Sequence, residues 1–230
     1  MLFRSAVMRI APAKWLVTKY DELNRPIETG LWTNATTFAT HRTNALTIYP
    51  YPATTSGYEL LSVTHYDDYS SIPVASGLNN SVDGSYTGYI HASINTSPYY
   101  AQSIPSTAST KTKGKITWTQ TKVVGTASTF LYGLNIYDDN GRLIQVKSTN
   151  ITTGTDIATT QYSWTDQPLV VVLKHIKAGA VNPQTHIVVS KMEYDDLGRL
   201  TSTKKIINST INGVAVNKPE QTIEIGRAHV

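Results

Sequence analysis

Three adjacent carboxylate pairs, Asp67-Asp68, Asp138-Asp139 and Asp195-Asp196, are the residues whose type would suit general acid–base work of the kind glycosidases do with two carboxyls. Neighbouring side chains on a strand or turn point in different directions, and the pairs recur with a repeated phrase, so they read as structural. Asp138-Asp139-Asn140-Gly141 begins like a calcium loop but lacks the alternating oxygen ligands and the closing Glu. The histidines at 41, 65, 91, 175, 186 and 229 include no pair at helical ligand spacing. Absence of Cys removes disulfides, thiolate chemistry and Cys-rich zinc sites together. Ser residues abound without a Gly-x-Ser-x-Gly elbow, and no Gly-rich phosphate loop occurs. No nucleophile, metal ligand or cofactor is nominated, and the chain is expected not to be an enzyme.

Aromatic side chains offer a different chemistry. Tyr86, Tyr89, Tyr99 and Tyr100, with Trp15, Trp32, Trp118 and Trp164, are read first as sheet packing and second as a stacking platform for carbohydrate. The formal charge of +4 has its tightest group at Lys111, Lys113 and Lys115, which lacks the Arg and aromatics of a nucleic-acid groove, so no nucleic-acid partner is expected. No run of about 20 apolar residues exists to span a membrane. The opening residues 1–8 hold too short an apolar stretch for a signal peptide, and Met1 reads as an internal start.

The elements that must position these residues announce themselves by repetition. Tyr137-Asp138-Asp139-Asn140-Gly141-Arg142-Leu143 returns as Tyr194-Asp195-Asp196-Leu197-Gly198-Arg199-Leu200, and a looser copy stands at Tyr20-Asp21-Glu22-Leu23-Asn24-Arg25-Pro26. Each copy separates two alternating stretches, which makes it a hairpin corner. Tyr66-Asp67 is read as a degenerate corner, and the stretch around Tyr162 as a worn copy in which Pro168 takes the place of Arg. Tyr outnumbers Phe fourteen to three among Ser, Thr and Asn, a mixture suited to half-exposed sheets. No helical stripe of useful length appears. The fold predicted is all-β: serial antiparallel hairpins forming a curved or spiralling sheet with little helix. The segments expected are an irregular lead-in at 1–13, first hairpins at 14–69, a polar insertion at 70–114, ordered only where its tyrosines pack, and a hairpin sheet at 115–223.

Within a corner, the opening Asp can accept hydrogen bonds from backbone amides just ahead of it, and Asp21, Asp138 and Asp195 are so placed. Three residues on, the chain must take positive φ, which Gly141 and Gly198 allow and Asn24 tolerates. The Arg is expected over the ring of its own corner's Tyr, and Leu143 and Leu200 are expected to point into the buried face.

This recurring Tyr-Asp-x-x-Gly-Arg-Leu among Thr/Ser-rich strands resembles the YD repeat of bacterial RHS-type proteins, with two good copies and partial ones at Tyr20, Tyr66 and Tyr162. The resemblance implies a spiralling β-shell in a large exported or surface protein, in many members enclosing a C-terminal toxin. Residues 224–230 look like translated sequencing adapter, so the chain is expected to be an N-terminal or middle piece whose partner is the rest of its own chain, further repeats and a possible effector. The alternative is a cell-surface carbohydrate-binding module.

Overall fold

In a computed structural model, residues 5–48, 51–52 and 56–225 are described, and the tail read as adapter therefore lies mostly outside them. The elements in chain order are β1 (Ser5–Ala11), β2 (Lys14–Tyr20), β3 (Pro26–Thr33), α1 (Phe38–Thr47), β4 (Tyr58–Asp67), β5 (Thr112–Lys122) and β6 (Phe130–Tyr137). They continue through β7 (Leu143–Thr149), β8 (Thr155–Tyr162), β9 (Pro168–Lys177), β10 (Gln184–Tyr194), β11 (Leu200–Ile211) and β12 (Val214–Glu224). The strands hydrogen-bond in chain order as one open twelve-stranded sheet. The all-β hairpin series predicted from the alternation is what forms. No helix among the described residues is long and apolar enough to cross a membrane.

Two elements differ from the sequence reading. Residues 5–11, expected to be an irregular lead-in, form β1 and pair with β2 from Ser5↔Lys19 to Ala11↔Lys14. α1 occupies the Thr-rich stretch after Trp32, where Thr37 caps it by accepting from the Thr40 amide at 3.3 Å. Only His41 of this helix is buried, so it carries no apolar stripe that periodicity could detect.

The chain divides into two compact units, Met1–Tyr66 with Trp118–Leu131, and Asp67–Thr117 with Tyr132–Val230. In the first, alternation along β2 and β3 turns Trp15, Val17 and Trp32 to one face, with Trp15 directly opposite Trp32. Val7, Tyr51 and Tyr58 pack against them. Tyr58 lies over Gly30, where an added Cβ would stand 2.3 Å from the ring, and its hydroxyl donates to Glu28 at 2.8 Å. Burial and the neighbouring Glu28 carboxylate push the Tyr58 pKa upward.

In the second unit, residues 68–111 join β4 to β5 without a long strand of their own, carrying 3₁₀ turns at Val74–Ser76 and Gly84–Tyr86. This segment lies against Leu169, Val170, Val172 and Val189 of the sheet, burying Tyr86 and Ala101. The tyrosines do pack, as the sequence suggests, but buried amides also hold it. Gln145 accepts from the Asp83 amide at 2.8 Å and donates to the Asp83 carbonyl at 3.0 Å, while Gln161 does the same for His91 at 2.9 and 3.0 Å. Each glutamine thus stands in for a neighbouring strand and satisfies backbone groups that burial would otherwise leave unpaired. Lys147 adds its ammonium to the Asn79 and Ser81 carbonyls, and burial lowers its pKa against the pull of Asp83.

Candidate functional site

The corners share one set of hydrogen bonds. At 20–26, 137–143 and 194–200 the Asp amide donates to the Arg carbonyl across the turn at 2.9–3.0 Å, and the amide of Asn24, Gly141 or Gly198 donates back to the Asp carbonyl. One carboxylate oxygen accepts two amides: for Asp138 these are Asn140 at 3.0 Å and Arg142 at 2.8 Å, for Asp21 Leu23 and Arg25, for Asp195 Leu197 and Arg199. The other oxygen takes the Arg Nε of the same corner at 2.6–2.8 Å. Both oxygens are therefore committed within the turn. The sequence reading placed the Arg on its own corner's Tyr; instead it closes on its own corner's Asp, because the turn brings position six of the phrase back over position two.

The donors outweigh burial at Asp21: desolvation works upward, yet the Arg25 and Leu23 hydrogen bonds hold its pKa below the usual carboxylate value. At Asp195 the Arg199 amide and side chain, then the Leu197 amide, likewise hold the pKa down. φ values of +61° at Asn24, +81° at Gly141 and +76° at Gly198 meet the expected left-handed requirement.

The copy at Tyr162 is corrected by one residue. Tyr162 pairs with Pro168 as Tyr137 pairs with Leu143 and Tyr194 with Leu200, so Pro168 holds the place of Leu and Gln167 the place of Arg. Ser163 replaces Asp, its Oγ accepting from the Thr165 and Gln167 amides at 3.2 and 3.1 Å, and Asp166 takes the left-handed position at φ +63°. A further corner that the sequence reading missed joins β7 to β8. There Asn150 Oδ1 accepts from the Thr152 and Gly154 amides at 3.0 and 3.1 Å, and the Asn150 amide donates to the Gly154 carbonyl. Asn150-Ile151-Thr152 reads as a glycosylation sequon, although its Asn opens a turn.

Corners also lock onto their successors. The hydroxyl of each next Tyr donates to the carbonyl at the Leu position of the corner before it: Tyr66 to Pro26 at 3.2 Å, Tyr162 to Leu143 at 3.0 Å, Tyr194 to Pro168 at 2.8 Å. The ring beneath the guanidinium belongs to that next Tyr, with Arg25 4.3 Å from Tyr66 and Arg142 5.6 Å from Tyr162. Leu143 is half-buried and Leu200 exposed, contrary to the expected inward pointing; at the 143 and 168 positions it is the backbone carbonyl that the next hairpin uses.

Tyr66-Asp67 is not followed by a hairpin turn. Asp67 takes φ +74° and the chain leaves for the 68–111 segment, returning so that the Gly114 amide donates to Asp67 Oδ1 at 2.6 Å. Lys115 then behaves as the corner's basic residue, 4.9 Å over the Tyr137 ring with Nζ donating to the Gly141 carbonyl at 3.0 Å, as Gln167 donates to the Gly198 carbonyl at 2.9 Å. Ile116 supplies the carbonyl for the Tyr137 hydroxyl at 2.9 Å. Asp67, Gly114, Lys115 and Ile116 are thus one corner split by the insertion, which uses one of the three lysines read as a basic cluster.

Of the four tryptophans, Trp15, Trp32 and Trp118 are buried and Trp164 is 73% exposed. Trp164 stands in the Tyr162 corner, its amide donating to the Tyr100 carbonyl at 3.0 Å, and with Pro98, Tyr100, Thr165 and Gln167 it lines an open cleft of about 310 Å³. No group of three metal-ligating side chains occurs among the described residues. Comparison with family models, with curated proteins and with solved structures finds no match.

Proposed function

We propose that the chain is a non-catalytic structural segment of an RHS/YD-repeat type of protein, exported or at the cell surface, forming part of a β-shell or scaffold that further repeats complete and that encloses a C-terminal toxin. The observation that carries this reading is the lock between successive corners: a Tyr hydroxyl binds each hairpin to the one before it, joined at Tyr66, Tyr137 and Tyr162 by a basic side chain over the ring. A unit whose polar groups are completed only by its neighbour is suited to indefinite extension and spends its acidic residues on turns. Reading the native frame through and past the codon for Ile223 tests the proposal. Further Tyr-Asp-x-x-Gly-Arg units there support it, and a stop after Val230 overturns it.

A second reading, a carbohydrate-binding module, is favoured by the exposure of Trp164 beside Tyr100 over a cleft that also holds the Thr165 hydroxyl and the Gln167 amide. An exposed indole on a backbone pinned from both sides gives a sugar ring an apolar face at little ordering cost. Tryptophan quenching by oligosaccharides in wild type, abolished in Trp164→Ala, supports this reading; no quenching across a panel of oligosaccharides rejects it.

A further inference from the structure

One side chain anchors α1. Of the residues Phe38–Thr47 only His41 is buried, at 3% exposure, and the three threonines of this short helix do little to hold it in water without packing. The imidazole stands edge-on to Trp15 with ring centroids 4.3 Å apart and lies 5.0 Å from Trp32 and 6.0 Å from Tyr51. Phe38 stacks on Trp15 at 6.4 Å. His41 Nδ1 is hydrogen-bonded to the Tyr51 hydroxyl, while Nε2 is buried with no hydrogen-bond partner among the described residues. The ring partners of His41 among the described residues are Trp15 of β2, Trp32 of β3 and Tyr51 of the segment after α1, of which the Tyr51 hydroxyl is the titratable group.

We propose that His41 makes α1 an acid-released strap, in which a proton on the imidazole drives it from the aromatic cage and the departing helix uncovers Trp15 and Trp32. Two N–H groups of an imidazolium need acceptors or water, and the cage supplies one hydroxyl. Ring faces attract a cation but do not replace its hydration. Burial accordingly lowers the His41 pKa. The sign follows from linkage: the closed strap binds the proton less well than the open one, so closure is complete above the ordinary histidine value of about 6.5 and weakens as pH falls below it.

The test follows the His41 ring by NMR in the whole chain from pH 8 to 4.5, beside the emission of Trp15 and Trp32 in a Trp118→Phe, Trp164→Phe background. His41 is expected to titrate below 6.5 with a red shift of matching midpoint, and His41→Phe, whose neutral ring fills the cage, is expected to keep the blue emission throughout. Titration at or above 6.5, or an unchanged red shift in His41→Phe, overturns the strap. Hydrogen exchange on wild type covers the case in which these variants fail to fold. Protection over 38–47 should drop at least tenfold between pH 7 and 5, after correction for intrinsic rates, while β6 to β9 hold; a loss everywhere or nowhere overturns it.

Discussion

The corners at 137–143 and 194–200 share six of seven letters and the same turn hydrogen bonds, yet they live in different surroundings. The Arg142 side chain is 12% exposed against its Asp138 at 6%, and lies over the ring of the following Tyr162; Arg199 is 62% exposed over Asp195 at 12%. The turn is therefore a local property of the phrase, whereas its energetic weight comes from the hairpin that packs next to it. An ion pair in water is worth little, and the same pair enclosed becomes one whose halves cannot be separated cheaply.

Breaking the pair should expose that difference most strongly. Asp138→Ala leaves two amides without their acceptor and the half-buried Arg142 guanidinium with only its longer contacts to Asp166 and the Ser163 carbonyl at 3.3 and 3.4 Å, and is expected to cost about 3 kcal/mol in urea unfolding. Asp195→Ala, made in solvent, should cost distinctly less; equal losses would remove the distinction. Gly141→Val and Gly198→Val, by contrast, force the same left-handed backbone and should each cost about 1–2 kcal/mol, since that penalty is local. Tyr162→Phe removes the hydroxyl on the Leu143 carbonyl and should cost about 1 kcal/mol, with the thermal midpoint falling accordingly.

The smallest effect is in acid. Folding lowers the pKa of Asp21 and Asp195, so their contribution is whole above the unfolded value of about 4 and is lost as pH falls through the lower folded values. Asp195→Asn should lose less stability than wild type between pH 5 and 2.

The corners were legible because Tyr, Asp, Gly and Arg sit within seven consecutive residues and each answers a local need of the turn. What lay beyond one turn was not. The guanidinium's ring comes from a hairpin 20 to 41 residues downstream, so the pairing of Arg25 with Tyr66 and Arg142 with Tyr162 had no local signal. α1 hid because its attachment is one histidine and not a stripe. Gln145 and Gln161 looked like ordinary strand polar residues; their only mark is that they fall on the inward side of the alternation, where a buried amide must find backbone to bind. The Tyr162 corner was misread by a residue because Ser163 and Asp166 fill the roles of Asp and Gly without sharing their letters.

The split corner carries a cost that no contact distance reveals. Closing Asp67 onto Gly114 ties off a loop of some 47 residues where an ordinary corner ties off about five, and chain statistics put the extra entropy at about 2 kcal/mol. Length itself enters that cost only weakly, since doubling the insert would add about 0.6 kcal/mol of closure entropy; what ties this particular insert to the sheet is the backbone it lends to Gln145, Gln161 and Lys147.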